Sequence, residues 1–366
     1  MHSDLLLVIV IVAALGFDFT NGFHDTANVV ASAISTRALS PRTAITIASL
    51  LNFAGAFISL KVAATIATGI IDPSDVTETI AFAGLLGAVT WNLITWSYGL
   101  PSSSSHALIG GMIGAMLAAV GGAGVNGTAV ITKVVAPAIV APVAAFLAAG
   151  LAIAIIYLAL GRRRPGPVSR GLRVGQLFST SLLSLAHGTN DAQKTMGVIT
   201  LALVAHGSLS ASHAQVPAWV VVTSATAIAL GTYAGGWRII RTVGTRIIKM
   251  DPAQGLAAQT SGAVVILVSS HFGYPLSSTH VISGGVMGAG AAKRLSAVRW
   301  GVAGNIAAAW IVTLPAAGLF GAIAYGLASV FGNGVLGPLL LTLVGCTVLT
   351  TTLAARRRRM TEAASV

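Results

Sequence analysis

A chain of 366 residues with 8% charged side chains cannot clothe a soluble globule, which spends about a quarter of its residues on charge. Mean hydropathy of +0.87, with 55% apolar residues and 42 glycines, indicates a polytopic membrane protein rather than two or three soluble domains. The net charge of +12 falls in short bursts between apolar runs, the pattern of topology control and not of nucleic-acid binding; the single Cys346 excludes an intrachain disulfide and a paired-cysteine metal site.

The apolar run 5–16 follows Met1-His2-Ser3-Asp4, which has no Lys or Arg, and no cleavage site with a polar start follows it, so it reads as a first span and not as a signal peptide. With about 20 apolar residues needed per crossing, spans are predicted at 5–35, 43–68, 79–98, 103–120, 134–160, 177–204, 218–236, 255–272, 279–292, 300–328 and 336–355. The fold class is therefore all-α, with about 10–12 transmembrane segments. Internal Gly, Pro and polar clusters mark some of these as broken or re-entrant half-helices. The loops leave no room for a separate soluble domain.

Loop charges fix the sides. Arg37 and Arg42, then Arg162, Arg163, Arg164, Arg170 and Arg173, then Arg238, Arg241, Arg246 and Lys249, then Lys293, Arg294 and Arg299, and finally Arg356 to Arg359 make 18 of the 21 basic residues. All fall on one side if the spans alternate. Asp72, Asp75 and Glu78 fall on the other. The positive-inside rule then gives a multi-pass inner (plasma) membrane protein with its N-terminus outside and its C-terminus in the cytoplasm. Lys61 and Lys133 read as snorkelling or outer-loop residues.

Two stretches recur. Asn21-Gly22-Phe23-His24-Asp25-Thr26-Ala27-Asn28 matches His187-Gly188-Thr189-Asn190-Asp191-Ala192-Gln193-Lys194 at an offset of 166 residues. Gly99 to His106, ending Pro101-Ser102-Ser103-Ser104-Ser105-His106, matches Gly273 to His280, ending Pro275-Leu276-Ser277-Ser278-Thr279-His280, at an offset of 174. The same order and similar offsets indicate a duplicated unit. Each copy holds five spans, an odd number, so the second enters the membrane from the opposite side; the Lys/Arg-free stretch around His206–His213 answers to the basic loop at Arg37 and Arg42. The chain divides into a first inverted repeat (1–160), a basic linker (161–176), a second repeat (177–328), and an extra span with a basic tail (329–366). Inverted repeats characterise secondary transporters, which bind cargo at the midplane where the copies face each other.

A charge inside a membrane costs about 2.5–3.5 kcal/mol even on insertion scales, yet Asp25 and Asp191 recur at equivalent places in apolar spans. They are candidates for holding a coupling cation or exchanging a proton. Asn28 and Lys194 lie three residues on, along the same helix face. Asp18, seven residues before Asp25, is a lesser candidate because Ser184 replaces it in the second copy. Pro101 and Pro275 precede the hydroxyl triplets Ser103-Ser104-Ser105 and Ser277-Ser278-Thr279, the composition of a helix N-terminus. Two such termini, approaching the midplane from opposite faces with free N–H groups and hydroxyls, suit a tetrahedral oxyanion. His106 and His280, which close both motifs, read as packed side chains.

At these residues the sequence resembles the inorganic phosphate transporter (PiT) family, bacterial low-affinity type, over nearly its whole length. The resemblance implies symport of inorganic phosphate, as the free ion or a divalent metal–phosphate complex, driven by protons or sodium, by a homodimer without a resident cofactor. It implies a site lined by Asp25, Asn28, Asn190, Asp191 and the two hydroxyl triplets. The chain departs from the family's sodium-coupled pattern, an Asn-Asp-x-x-Asn-like arrangement in both copies, by His24 and Lys194. These suggest proton coupling: Lys194 supplies an ammonium where sodium would bind, and His24 titrates near neutral pH. Sulfate–proton symport on the same fold is the nearest alternative, and a passive anion channel is another. An intramembrane serine hydrolase is disfavoured, because Ser104 and His106, two residues apart on one helix, point in different directions. No enzyme activity is expected.

Overall fold

The computed structural model describes residues 2–210, 215–332 and 334–364, with the chain from 352 as backbone only. His213 and the side chains of Arg356–Arg359, named above for their charge pattern, lie outside the described set. Among the described residues the protein is helical, with a single isolated antiparallel bridge, Ile71 to Val125.

The first repeat contains α1 (His2–Ser35), α2 (Pro41–Gly55), α3 (Lys61–Thr68), α4 (Glu78–Tyr98), α5 (Ser104–Val120), a short α6 (Gly127–Ala129) and α7 (Ala136–Leu160), the last two joined by a π-helical turn at Val130–Val135. The second contains α8 (Pro165–Ala205), α9 (Ala218–Ala234), α10 (Trp237–Arg241), α11 (Pro252–His271), α12 (Ser278–Lys293) and α13 (Trp300–Ser329), and α14 (Leu336–Ala364) follows. Local chemistry sets these boundaries. Ser40, Thr77, Ser103, Ser277 and Asp251 each accept a backbone N–H at a helix start, Asp251 within a capping box completed by Gln254.

Several expectations change. The span at 43–68 is two helices, α2 and α3, separated at residues 56–60. Its counterpart, 218–236, ends at Gly235 (φ +74°), and the chain turns by 60° into α10. Residues 165–176, expected as part of a basic linker, are the first turns of α8. By length and composition, five described helices can cross a membrane, or six if the bent α9–α10 pair is one span. The shortfall from eleven lies partly in α8 and α11, whose polar residues face the interior and lower their hydropathy. The backbone of α14 is helical through the whole of the span predicted at 336–355.

The pairs α4–α5 and α11–α12 form two helical hairpins. The Ile71–Val125 bridge joins the chain before α4 to the chain after α5, and Lys293 Nζ lies 3.1 Å from Asp251 Oδ2 at the open end of the other hairpin. Each tip turns at a glycine with positive φ, Gly99 (+66°) and Gly273 (+76°). The tips meet: Ser105 Oγ donates to the Leu276 carbonyl at 2.9 Å. The returning arm of each hairpin packs on the last helix of the other repeat. Gly110 and Gly114 of α5 seat against Leu314 and Gly318 of α13, and Gly284 and Gly288 of α12 against Pro142 and Phe146 of α7. A side chain at any of these four glycines would strike the facing backbone, the small-residue contact by which membrane helices approach closely. The reciprocal exchange gives the two inverted repeats one shared core.

That core has two apolar parts. One gathers Leu6 to Phe17 of α1 with Ala192 to Leu203 of α8; the other gathers Ala27 to Ala31 of α1 with Leu183 and Ala186 of α8. Between them both helices turn their polar segments inward, at least seven residues from either helix end, and both hairpin tips reach that level. A buried polar layer therefore lies between the two apolar parts of the core.

Candidate substrate and ion site

Asp25 and Asp191 are 2% and 0% exposed. Ser278 at the start of α12 lies between them, its hydroxyl 3.3 Å from Asp25 Oδ2 and 3.3 Å from Asp191 Oδ2. Thr279 Oγ1 is 3.4 Å from Asp25 Oδ1, and the Asn28 amide donates to Thr279 at 2.9 Å and to Ser278 at 3.3 Å. Thus the first repeat's helix α1 reaches the second repeat's hydroxyls. The reverse reach is made by Lys194. Its ammonium donates to Asp191 Oδ1 at 2.6 Å, to Ser105 Oγ of the other tip at 2.5 Å, and to the Leu276 carbonyl at 2.9 Å. Three partners saturate its three N–H bonds.

His24 sits against the first tip. Its Nδ1 is 2.7 Å from Asp25 Oδ1, Ser104 Oγ is 3.5 Å from the same nitrogen, and Nε2 is 3.3 Å from both Thr95 Oγ1 and Ser102 Oγ. Two proton arrangements fit this ring. With the Ser102 hydroxyl donating to Thr95 at 2.8 Å, and Thr95 to the Trp91 carbonyl, Nε2 must itself donate and the ring is an imidazolium. If the Ser102 hydroxyl turns to Nε2, the neutral ring is satisfied. One hydroxyl rotation accommodates a change of charge.

Nine of the twelve predicted residues converge here: His24, Asp25, Asn28, Ser104, Ser105, Asp191, Lys194, Ser278 and Thr279. The other three do different work. Ser103 and Ser277 are spent as N-caps, accepting from the backbone N–H of His106 and His280 at 3.1 and 3.3 Å. Asn190 turns to the second hairpin, donating to Ser270 Oγ at 2.9 Å and to the Tyr274 carbonyl at 3.2 Å. His106 and His280 pack edge to face behind the tips, with centroids 4.7 Å apart, and His280 stacks on Trp310.

His187 had no role in the sequence reading, yet its Nε2 is 3.2 Å from Asp191 Oδ2 while Nδ1 meets Asn52 Oδ1 at 3.1 Å. The signal was present: His187 aligns with Asn21, one turn before the carboxylate, where a side chain shares its face. Asp25, His187 and Asp191 present ligand atoms within 4.8 Å of one another, close enough to share one cation. Every residue around the two carboxylates is 5% exposed or less, so the site is closed to both membrane faces.

The model of the phosphate transporter family matches this chain twice, over residues 21–171 and 161–321. The chain belongs to the phosphate transporter family. It is similar to proteins named "Probable low-affinity inorganic phosphate transporter" from Mycobacterium bovis (53% identity, covering 90% of this chain and 79% of that one) and from Bacillus subtilis (43%, covering 88% and 96%). Among solved structures it is similar to one titled "The sodium-dependent phosphate transporter", with a TM-score of 0.82, 25% identity, and coverage of 88% of this chain and 98% of that one. This family member is accordingly a multi-pass membrane transporter and not an enzyme, and the duplicated match falls on the two copies of the polar layer.

Proposed function

We propose that the protein carries inorganic phosphate inward in symport with protons, across an inner (plasma) membrane with the N-terminus outside. The observation that carries the reading is the Lys194 ammonium, saturated by Asp191, Ser105 and Leu276. Two carboxylates against one fixed ammonium leave a single negative charge in a dry layer, and an anion cannot join it uncompensated. A proton on His24, which already contacts Asp25 and tolerates either charge state, supplies the compensation. Anion entry and proton entry then require each other, which is the physical content of symport. The anion takes donors from both helix N-termini and from the hydroxyls of Ser105, Ser278 and Thr279 in place of the direct contacts between the tips. Phosphate, unlike sulfate, keeps a proton near neutral pH and can donate it to a carboxylate.

The solved neighbour is titled sodium-dependent, but in this chain the Lys194 ammonium already neutralises Asp191 and so reduces the pull of that carboxylate on a further cation. The test is labelled phosphate uptake into proteoliposomes with the proton, sodium and divalent-metal gradients imposed separately. The expected result is accumulation driven by a proton gradient, unaffected by sodium, and collapsed by an uncoupler. Uptake driven by sodium without a pH gradient overturns the coupling. Competition by sulfate as strong as by unlabelled phosphate overturns the substrate, and dependence on a divalent metal identifies the metal–phosphate complex as cargo.

A further inference from the structure

Three carboxyl groups are buried in the polar segments of α1 and α8, and the site above uses two. The third, Asp18, is fully buried, and its oxygens make no close hydrogen bond to any side chain other than two neutral ones that face it. It faces Asn21 of its own helix and Thr195 of α8. Both amide atoms of Asn21 and the Thr195 hydroxyl are buried as well, and among the described residues they have no hydrogen-bond partner beyond this carboxylate. Both amide atoms of Asn92 on α4 are buried without a partner among the described residues. Since His24 meets Thr95 across α1 and α4, Asn92, three residues before Thr95, is level with Asn21, three residues before His24. Four polar side chains from three helices thus share one buried level, on the side of the central site toward the start of α1.

Packing alone would be better served by alanine at these positions, so a buried carboxylate whose close neighbours are all neutral points to something it binds. The charged side chains that bear on Asp18 are Asp191 and Lys194, both on α8, and Lys194 has spent its three N–H bonds elsewhere. Asn92, from α4, is neutral. Asp25 has His24 and Asp191 has Lys194 as a basic partner, whereas Asp18 has none of its own among the described residues. The smallest cation that neutralises a buried carboxylate without adding ligands is a proton.

We propose that Asp18 is a second proton-binding site of the transport cycle, taking up the driving proton from the face on which α1 begins, with Asn21, Asn92 and Thr195 as hydrogen-bonding partners of the carboxyl group. An O–H bond forms as the proton arrives from water and breaks as it returns to water on the opposite face; nothing is oxidised. The proposal rests on the proton-symport reading above and divides the labour within it: Asp191 and Lys194 hold the fixed charge, His24 beside Asp25 carries the compensating proton while the anion is bound, and Asp18 takes that proton up first.

Asp18→Asn keeps the size and neutrality of the protonated acid but cannot exchange a proton. In proteoliposomes this variant is expected to exchange internal for external phosphate at the wild-type rate, while accumulation under a pH gradient falls to that of uncoupled wild type. Asp18→Glu is expected to restore accumulation. Infrared difference spectra on a pH step should show a protonated-carboxyl band that shifts in Asp18→Glu and is absent from Asp18→Asn. Wild-type accumulation in Asp18→Asn overturns the proposal; so does loss of exchange together with accumulation in a variant that melts like wild type, or a carboxyl band unchanged between wild type and Asp18→Glu. Wild type that neither exchanges nor accumulates phosphate would instead overturn the parent reading, so the two failures are distinguishable.

Discussion

The two halves of the central site are copies that have exchanged their partners. In the first, a basic side chain precedes the carboxylate and an amide follows it (His24, Asp25, Asn28); in the second, an amide precedes and a basic side chain follows (Asn190, Asp191, Lys194). Asp25 is therefore held by an imidazole, and Asp191 by an ammonium on one oxygen with the His187 ring on the other. The inverted fold brings both to the same pair of hairpin tips, so the two helices make opposite demands of similar surroundings. Under the proposed proton coupling, the Asp191–Lys194 pair keeps the tips joined while His24 beside Asp25 takes the proton.

The sharpest way to break this contrast is to remove each carboxylate in turn. Asp191→Asn strands the Lys194 ammonium in the dry layer, and breaking a buried pair this way costs about 3–5 kcal/mol. Asp25→Asn leaves His24 free to remain neutral and should cost about 1–3 kcal/mol, the loss of hydrogen bonds in a buried network. Both variants should lose proton-driven accumulation, but Asp191→Asn should melt at the lower temperature in detergent. Equal melting losses would mean that the lysine is not the fixed charge argued here.

Next in size is Lys194→Asn, which gives the second half the amide that Asn28 gives the first. Loss of the ammonium should open the place beside Asp191 to a small cation, and phosphate uptake should become stimulated by sodium. An uptake rate indifferent to sodium in that variant would separate Lys194 from the choice of driving ion. A smaller effect is expected from the hydroxyls that Asn28 and Lys194 grip across the repeat boundary. Ser105→Ala and Thr279→Val each remove one donor to the anion, and each should raise KM for phosphate about tenfold, or about 1.4 kcal/mol, with kcat changed less. An unchanged KM in both would move the anion away from the tips.

Much of this was legible in the chain because the duplicated residues carry chemistry that a membrane tolerates only for a reason. Asp25, Asp191 and the two hydroxyl triplets stand out against apolar surroundings, and the odd number of spans per copy fixes their inversion. Tertiary packing hid the rest. The break at residues 56–60 carries no proline and no polar cluster, only Ala56-Phe57-Ile58-Ser59-Leu60, so hydropathy runs through it. Residues 165–176 read as a linker from their arginines, though Pro165 is well placed to start a helix, and the chain there is α8. Asn190 shared its motif with Asp191, but adjacent residues on a helix point about 100° apart, which turns it to α11. The exchanged packing of α5 on α13 and α12 on α7 is a long-range contact that only the glycine spacing foreshadowed.

The smallest expected effect concerns a likeness between the halves. The triplets read as three equal hydroxyls each, but the first of each, Ser103 and Ser277, closes the helix start by accepting a backbone N–H, at nearly the same distance in both copies. The cap fixes where each of these oxygens sits, turned onto its own helix start, and leaves the other two hydroxyls of each triplet to face the anion. Ser103→Ala and Ser277→Ala should therefore each cost about 1 kcal/mol of stability, the usual worth of an N-cap. They should do so equally, and KM should stay near that of wild type. Ser103→Asn and Ser277→Asn, which retain a capping oxygen, should recover most of the melting temperature. If instead alanine at either position raised KM as much as Thr279→Val, the capping serine would be reaching the anion, and the division of each triplet into one structural and two binding hydroxyls would fail.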